Sequence, residues 1–158
     1  MNGEKILIVI PTYNEASIIE KLILEIQNNF EKADILVIDA YSNDETFKKV
    51  KSTNTNIIQI DKIFGIGLAI ETAILFAKKN NYDFLVRIDG DGQHPPKDVK
   101  NVLKFAISKK NDLTIGSRFL SKSEYNPSYL RLYSIKLLRK LINILYGANI
   151  TDCTSGCQ

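Results

Sequence analysis

Short apolar runs recur along the chain, each closed by a polar or glycine-rich break. Between them lie longer stretches with apolar residues spaced three and four apart. Runs rich in Ile and Val read as strands buried on both faces, and the wider spacing reads as amphipathic helix. KILIVI at 5–10 predicts a first strand, stopped by Pro11. From 15 to about 29, Ile18, Ile19, Leu22, Ile23 and Ile26 fall on one helical face. DILVID at 34–39 predicts a second strand. Ser42, Asn43 and Asp44 are helix-start residues, and 45–51 reads as a short helix. A third strand is expected at 56–60, then a helix opened by Gly65-Ile66-Gly67 and running to about 80. A fourth strand is expected at 83–88. Pro95-Pro96 suits the first turn of a helix that carries Val99, Val102, Leu103, Ala106 and Ile107 on one face. Residues 113–115 predict a fifth strand.

Strands that alternate with helices imply an α/β fold, a mostly parallel sheet with helices on both faces. Ligands of such sheets bind beyond the C-terminal strand ends. The residues just after each strand are therefore informative. In order these are Pro11-Thr12-Tyr13-Asn14-Glu15, Asp39, Asp61 with Gly65-Ile66-Gly67, Asp89-Gly90-Asp91, and Gly116-Ser117-Arg118. Polar and glycine residues gather on one expected edge.

Composition adds little to this. The 158 residues fit one domain with a real core, and 44% hydrophobic with 25% charged residues is ordinary for a globular protein. A net charge of +3 is too weak to argue for nucleic acid. The two cysteines, Cys153 and Cys157, and the single His94 offer no zinc site. No run reaches the length of a membrane-spanning helix. The late segment 129–146 is different. Its apolar residues are interleaved with Arg131, Lys136, Arg139 and Lys140, the pattern of a basic amphipathic helix, or two short ones. Such a helix fits a membrane surface, and it fits equally a core helix with snorkelling cations.

The stretch RIDGDGQHPP (87–96) carries the chemistry. In extended backbone, residues i and i+2 point the same way, so Asp89 and Asp91 are expected to converge. Two bare carboxylates repel. A divalent cation with oxygen ligands, Mg²⁺ or Mn²⁺, removes the conflict and usually also takes substrate phosphates. The alternative is a solvated Asp-Gly turn.

Six blocks together resemble family 2 inverting glycosyltransferases of the GT-A fold, in the polyprenyl-phosphate branch. They are IPTYNE (10–15), VIDAYSNDET (37–46), FGIGLA (64–69), RIDGDGQHPP (87–96), IGSRF (115–119) and DCTSG (152–156). The resemblance implies a single catalytic domain over 1–158, truncated at its C-terminus. It implies that Pro11, Tyr13, Glu15, Asp39 and Gly67 hold the nucleoside of a UDP- or GDP-linked sugar. Asp89, Asp91 and Gln93 would hold the cation, with Asp89 and Gln93 shared with the donor. Asp91, Arg118 and Asp152 are the implied catalytic residues. Arg118 and Arg131 would grip phosphates, and Asp152 would be the base if the acceptor is a hydroxyl. Ala40 stands where many relatives carry a second acid, which leaves the base open. Cys157 and Gln158 stand where Phe and Arg are usual. The implied reaction is metal-dependent transfer with inversion to a polyprenyl phosphate, at the cytoplasmic inner face of the membrane. Transfer to a sugar or lipid hydroxyl in surface glycan synthesis is the alternative, as is an inactive nucleotide-binding module. A nucleotidyltransferase would show a basic glycine-rich loop near the N-terminus, and PTYNE is not that.

Overall fold

The computed structural model describes residues 3–61, 65–92, 94–119 and 128–158. Four strands, β1 (Ile6–Thr12), β2 (Ala33–Asp39), β3 (Asn56–Gln59) and β4 (Phe84–Arg87), form one sheet in the order β3-β2-β1-β4. Every pairing is parallel. The helices are α1 (Ile19–Asn29), α2 (Thr46–Ser52), α3 (Gly65–Lys79), α4 (Pro96–Lys109) and α5 (Tyr129–Tyr146).

The apolar run of β1 is buried on both sides because helices cover both. Ile6, Ile8 and Ile10 pack with Leu22, Ile23 and Ile26 of α1 and Val99 and Leu103 of α4. The alternate residues Leu7 and Val9 join Leu36 and Ile38 of β2 and the small side chains Ala69, Ala73 and Ala77 of α3. Alanines four apart let α3 approach the sheet closely. Each fully buried Ile contributes roughly 1.5–3 kcal/mol.

The expected elements need four corrections. Pro11 does not stop the first strand. It sits in β1 opposite Ile38, and the strand runs on to Thr12. The first helix begins at Ile19 rather than near 15, because the amides of Glu15 and Ala16 donate to the side chains of Thr46, the first residue of α2, and of Asp44 just before it. The third and fourth strands are shorter than expected, at Asn56–Gln59 and Phe84–Arg87. The fifth strand at 113–115 does not form, and Leu113 is exposed. The outer edge of β4 is instead taken at its C-terminal end by the last residue described. Arg87 N–H donates to the Gln158 carbonyl at 2.8 Å, and Gln158 N–H returns a 3.4 Å bond to the Arg87 carbonyl. The Gly116 N–H donates to the Cys157 carbonyl at 2.9 Å, so residues around 116 reach the tail and not the strand. The rest of that edge borders a cavity of about 470 Å³ between Ile70 and Ile74 of α3 and Val102 and Ala106 of α4.

Candidate active site

The C-terminal ends of β1 and β2 carry two loops that lock together. Asn14 N–H donates to Ser42 Oγ at 2.8 Å, and Asn43 N–H donates back to Asn14 Oδ1 at 2.9 Å. Glu15 N–H donates to Thr46 Oγ1 at 2.9 Å, and Ala16 N–H to Asp44 Oδ2 at 3.1 Å. Asn14 and Tyr41 adopt left-handed backbone, with φ of 57° and 50°. Asn tolerates that conformation through local hydrogen bonding, and Tyr41 adopts it at a steric cost. The lock leaves Tyr13 exposed over a cavity of about 380 Å³. Pro11, Ile38, Ala40, Ile60, Gly65 and Ile66 form most of its wall.

Two of the expected nucleoside residues, Pro11 and Tyr13, line this cavity, and others take different places. Asp39 is fully buried. Its carboxylate accepts from Ser42 N–H and Oγ–H, from Gln59 Nε2 at 3.0 Å and, at 3.5 Å, from Thr12 Oγ1. These bonds anchor the start of the loop after β2. Of the glycines, Gly65 needs its special backbone, with φ of 58°, and lines the cavity. Gly67 lies in the first turn of α3, and a Cβ there would meet nothing within 4 Å outside the helix's own turn.

Asp89 and Asp91 stand on either side of a turn. Strand alternation holds for Arg87 and Asp89, then fails, because the backbone turns at Gly90 and Gly92 has φ of 72°. Gly90 is required there, since a Cβ would sit 2.9 Å from Thr12 Cγ2 and 3.2 Å from the Pro11 carbonyl. Asp89 is turned toward Arg87, whose Nε and NH2 both donate to Oδ1 at 3.0 and 2.8 Å. Its Oδ2 lies against Gly156, where a Cβ would overlap it. Asp91 lies within electrostatic reach of Glu15. Burial, then the charge of Asp91, then that of Asp44, hold the Glu15 carboxyl above the usual carboxylate range. Gln93 lies outside the described residues. Among those described, no group of three His, Cys, Asp or Glu side chains is set to hold a metal. Two carboxylates suffice for a cation that completes its shell with water and substrate phosphates. The donor set is all oxygen, and the negative charge around Asp91 and Glu15 is what a divalent cation relieves, so the residues fit such an ion.

Arg118 and Asp152, far apart in sequence, meet in a bidentate ion pair. Nε to Oδ2 is 2.8 Å and NH2 to Oδ1 is 3.0 Å. Arg118 N–H adds a 3.2 Å bond to Oδ2, and NH2 also donates to Thr154 Oγ1 at 2.7 Å. The Thr154 amide donates to Asp152 Oδ1 at 3.1 Å. Burial alone raises the Asp152 carboxyl, but these bonds and the Arg118 charge hold it below the usual range. Asp152 is thereby a weak base. Arg131 is exposed on the first turn of α5. Cys157 is buried, and burial pushes its thiol up to about 11, so it stays protonated.

The model of the family described as "Glycosyl transferase family 2" matches residues 7–158. The chain belongs to glycosyl transferase family 2. It is 29% identical, over its whole length, to a UDP-N-acetylglucosamine–dolichyl-phosphate N-acetylglucosaminyltransferase of Methanococcus voltae, of which it covers 70%. Over 82% of its length it is 33% identical to a dolichol-phosphate mannosyltransferase of Pyrococcus furiosus, of which it covers 38%. Among solved structures, glucosyl-3-phosphoglycerate synthase of Mycobacterium tuberculosis superposes on 98% of the chain with a TM-score of 0.69 at 20% identity, and 56% of that protein is covered. The last comparison shows the GT-A fold. The chain thus spans well under the full length of these relatives.

As partners of the acids, Arg87, Gly156, Ser42 and Gln59 are not singled out by the sequence. Arg87 carries a usable signal there, standing two residues before Asp89 on one strand face. Ser42 stands three residues after Asp39, within reach of a local side-chain turn. Gln59 carries no signal, since only the fold brings it to Asp39.

Proposed function

We propose that the protein transfers a sugar from a nucleotide diphosphate to a polyprenyl phosphate, with inversion and with a divalent cation. The observation that carries this reading is the gathering, at one edge of a parallel sheet, of an apolar cavity under Tyr13 and the acids Asp89, Asp91 and Glu15. The cavity suits the flat face of a nucleobase. UDP- and GDP-linked donors both fit the reading, since relatives of this chain are named for a UDP-linked sugar and for dolichol-phosphate mannose.

Asp91 and Asp89 would hold Mg²⁺ or Mn²⁺. When bound, that cation supplies positive charge to the departing diphosphate. The acceptor phosphate oxygen forms a bond to the anomeric carbon as the bond from that carbon to the diphosphate breaks. No proton has to move, because a phosphate monoester is already an anion at neutral pH. Asp152 supports this choice of acceptor. A hydroxyl would need a general base, and Asp152 is tied to Arg118 and weakly basic. Its role in the reaction is to position Arg118, whose charge serves the phosphates. Arg131 serves the acceptor phosphate from the start of α5.

α5 supports a place at a membrane surface, which this reading puts on the cytoplasmic side. Only Ile135 of its eighteen residues is buried. No helix among the described residues is long and apolar enough to cross a membrane.

The direct test is transfer of labelled sugar from UDP-N-acetylglucosamine and GDP-mannose to a short-chain polyprenyl phosphate with Mn²⁺. Labelled lipid product with at least one donor is expected, and none with a polyprenol lacking the phosphate. Product from the polyprenol alone would replace the acceptor proposed here.

A further inference from the structure

The ion pair between Arg87 and Asp89 has no part in the transfer step itself. Asp89 Oδ1 accepts two hydrogen bonds from one guanidinium. The two side chains keep only 15% and 30% of their exposure, so water screens the pair less than on an open surface. The other carboxylate oxygen backs onto Gly156 with no room for a Cβ. The Arg87 backbone is itself pinned by the paired bonds to Gln158. Asp89 is therefore already paired with a resident positive charge, and its carboxylate is hemmed in from both sides.

We propose that Arg87 is a built-in counter-charge that competes with the divalent cation for Asp89 and so sets how tightly the cation is held. This rests on the reading of Asp89 and Asp91 as the cation's carboxylates. A carboxylate already bonded to a guanidinium attracts a second cation less, and the two cations repel across it. The geometry has two consequences. Asp91 supplies more of the cation's affinity than Asp89 does. The cation, held weakly by the protein alone, depends on the diphosphate of the donor to complete its shell.

Mn²⁺ binding to the whole chain without nucleotide, monitored by the electron paramagnetic resonance of the free ion, tests this apart from activity. Arg87→Met keeps most of the stem and removes the charge. It should tighten Mn²⁺ binding roughly threefold to tenfold. Arg87→Lys keeps the charge and should stay near wild type. Unchanged or weaker binding in Arg87→Met overturns the proposal, as does equal tightening in both variants. If Arg87→Met does not fold, Asp89→Asn and Asp91→Asn carry the test. Asp89→Asn should lose less Mn²⁺ affinity than Asp91→Asn, and an equal or larger loss overturns the proposal. Wild-type protein that binds no Mn²⁺ even with UDP or GDP present removes the cation site itself, and this inference with it. Wild-type binding without the Arg87 effect removes only the inference.

Discussion

At the scale of single residues, Arg118–Asp152 is the most buried ion pair seen among the described residues. The Asp152 side chain is 0% exposed and Arg118 14%. Removing one partner of a buried pair leaves the other charge uncompensated, at a cost of about 3–5 kcal/mol. Asp152→Asn should therefore lower stability in urea by an amount of that order. The pH dependence has a definite sign. The folded carboxyl lies below its unfolded value of ~3.9, so its contribution is complete above that value and fades as pH falls through the lower folded value. Wild-type protein should lose this part of its stability on the acid side, and Asp152→Asn should not. Urea midpoints measured from neutral to acid pH check both. The sequence makes Arg118 and Asp152 candidates but does not make them a pair. They lie 34 residues apart, and no local pattern spans that distance. Asp39 is legible as a strand-end acid, but its burial is not, because Gln59 comes to it only through β3.

At the scale of elements, periodicity is a good guide where a helix or strand has two covered faces. β1, β2, α1 and α4 follow their apolar patterns closely. The pattern fails at 113–115, where three apolar-rich residues are too short to compete for the β4 edge against the tail. The turn at Gly90–Gly92 is likewise hidden, since an Asp-Gly-Asp run is compatible with both strand and turn. α5 is the opposite case. Its pattern matches the helix that forms, but of its side chains only Ile135 is buried. Tyr129, Leu130, Tyr133, Ile144 and Leu145 are all exposed, and the helix carries four cations and no acid. Apolar area plus attraction to anionic headgroups gives such a helix affinity for a bilayer surface. The protein should sediment with vesicles containing anionic phospholipid and far less with purely zwitterionic ones. Lys136→Glu combined with Arg139→Glu should abolish the difference. Equal binding to both vesicle types would remove the electrostatic part of the account.

At the scale of the whole molecule, the parallel order β3-β2-β1-β4 brings the ends of β1, β2 and β4 to one edge. That edge is legible in the sequence, from the polar and glycine residues that close each strand. The division of labour along it is not. The fold separates an apolar cavity at β1 and β2 from an acidic region at Asp91 and Glu15, with Asp89 tied back to Arg87. In the function proposed above, these two regions together hold a nucleotide diphosphate through a divalent cation. Calorimetric titration of the protein with UDP and GDP, with and without Mn²⁺, tests it most directly when repeated on Asp91→Ala. Wild type should bind at least one nucleotide in a Mn²⁺-dependent way, and Asp91→Ala should lose the Mn²⁺ dependence. Nucleotide binding that is identical in Asp91→Ala, or that ignores Mn²⁺ in wild type, would contradict the claim.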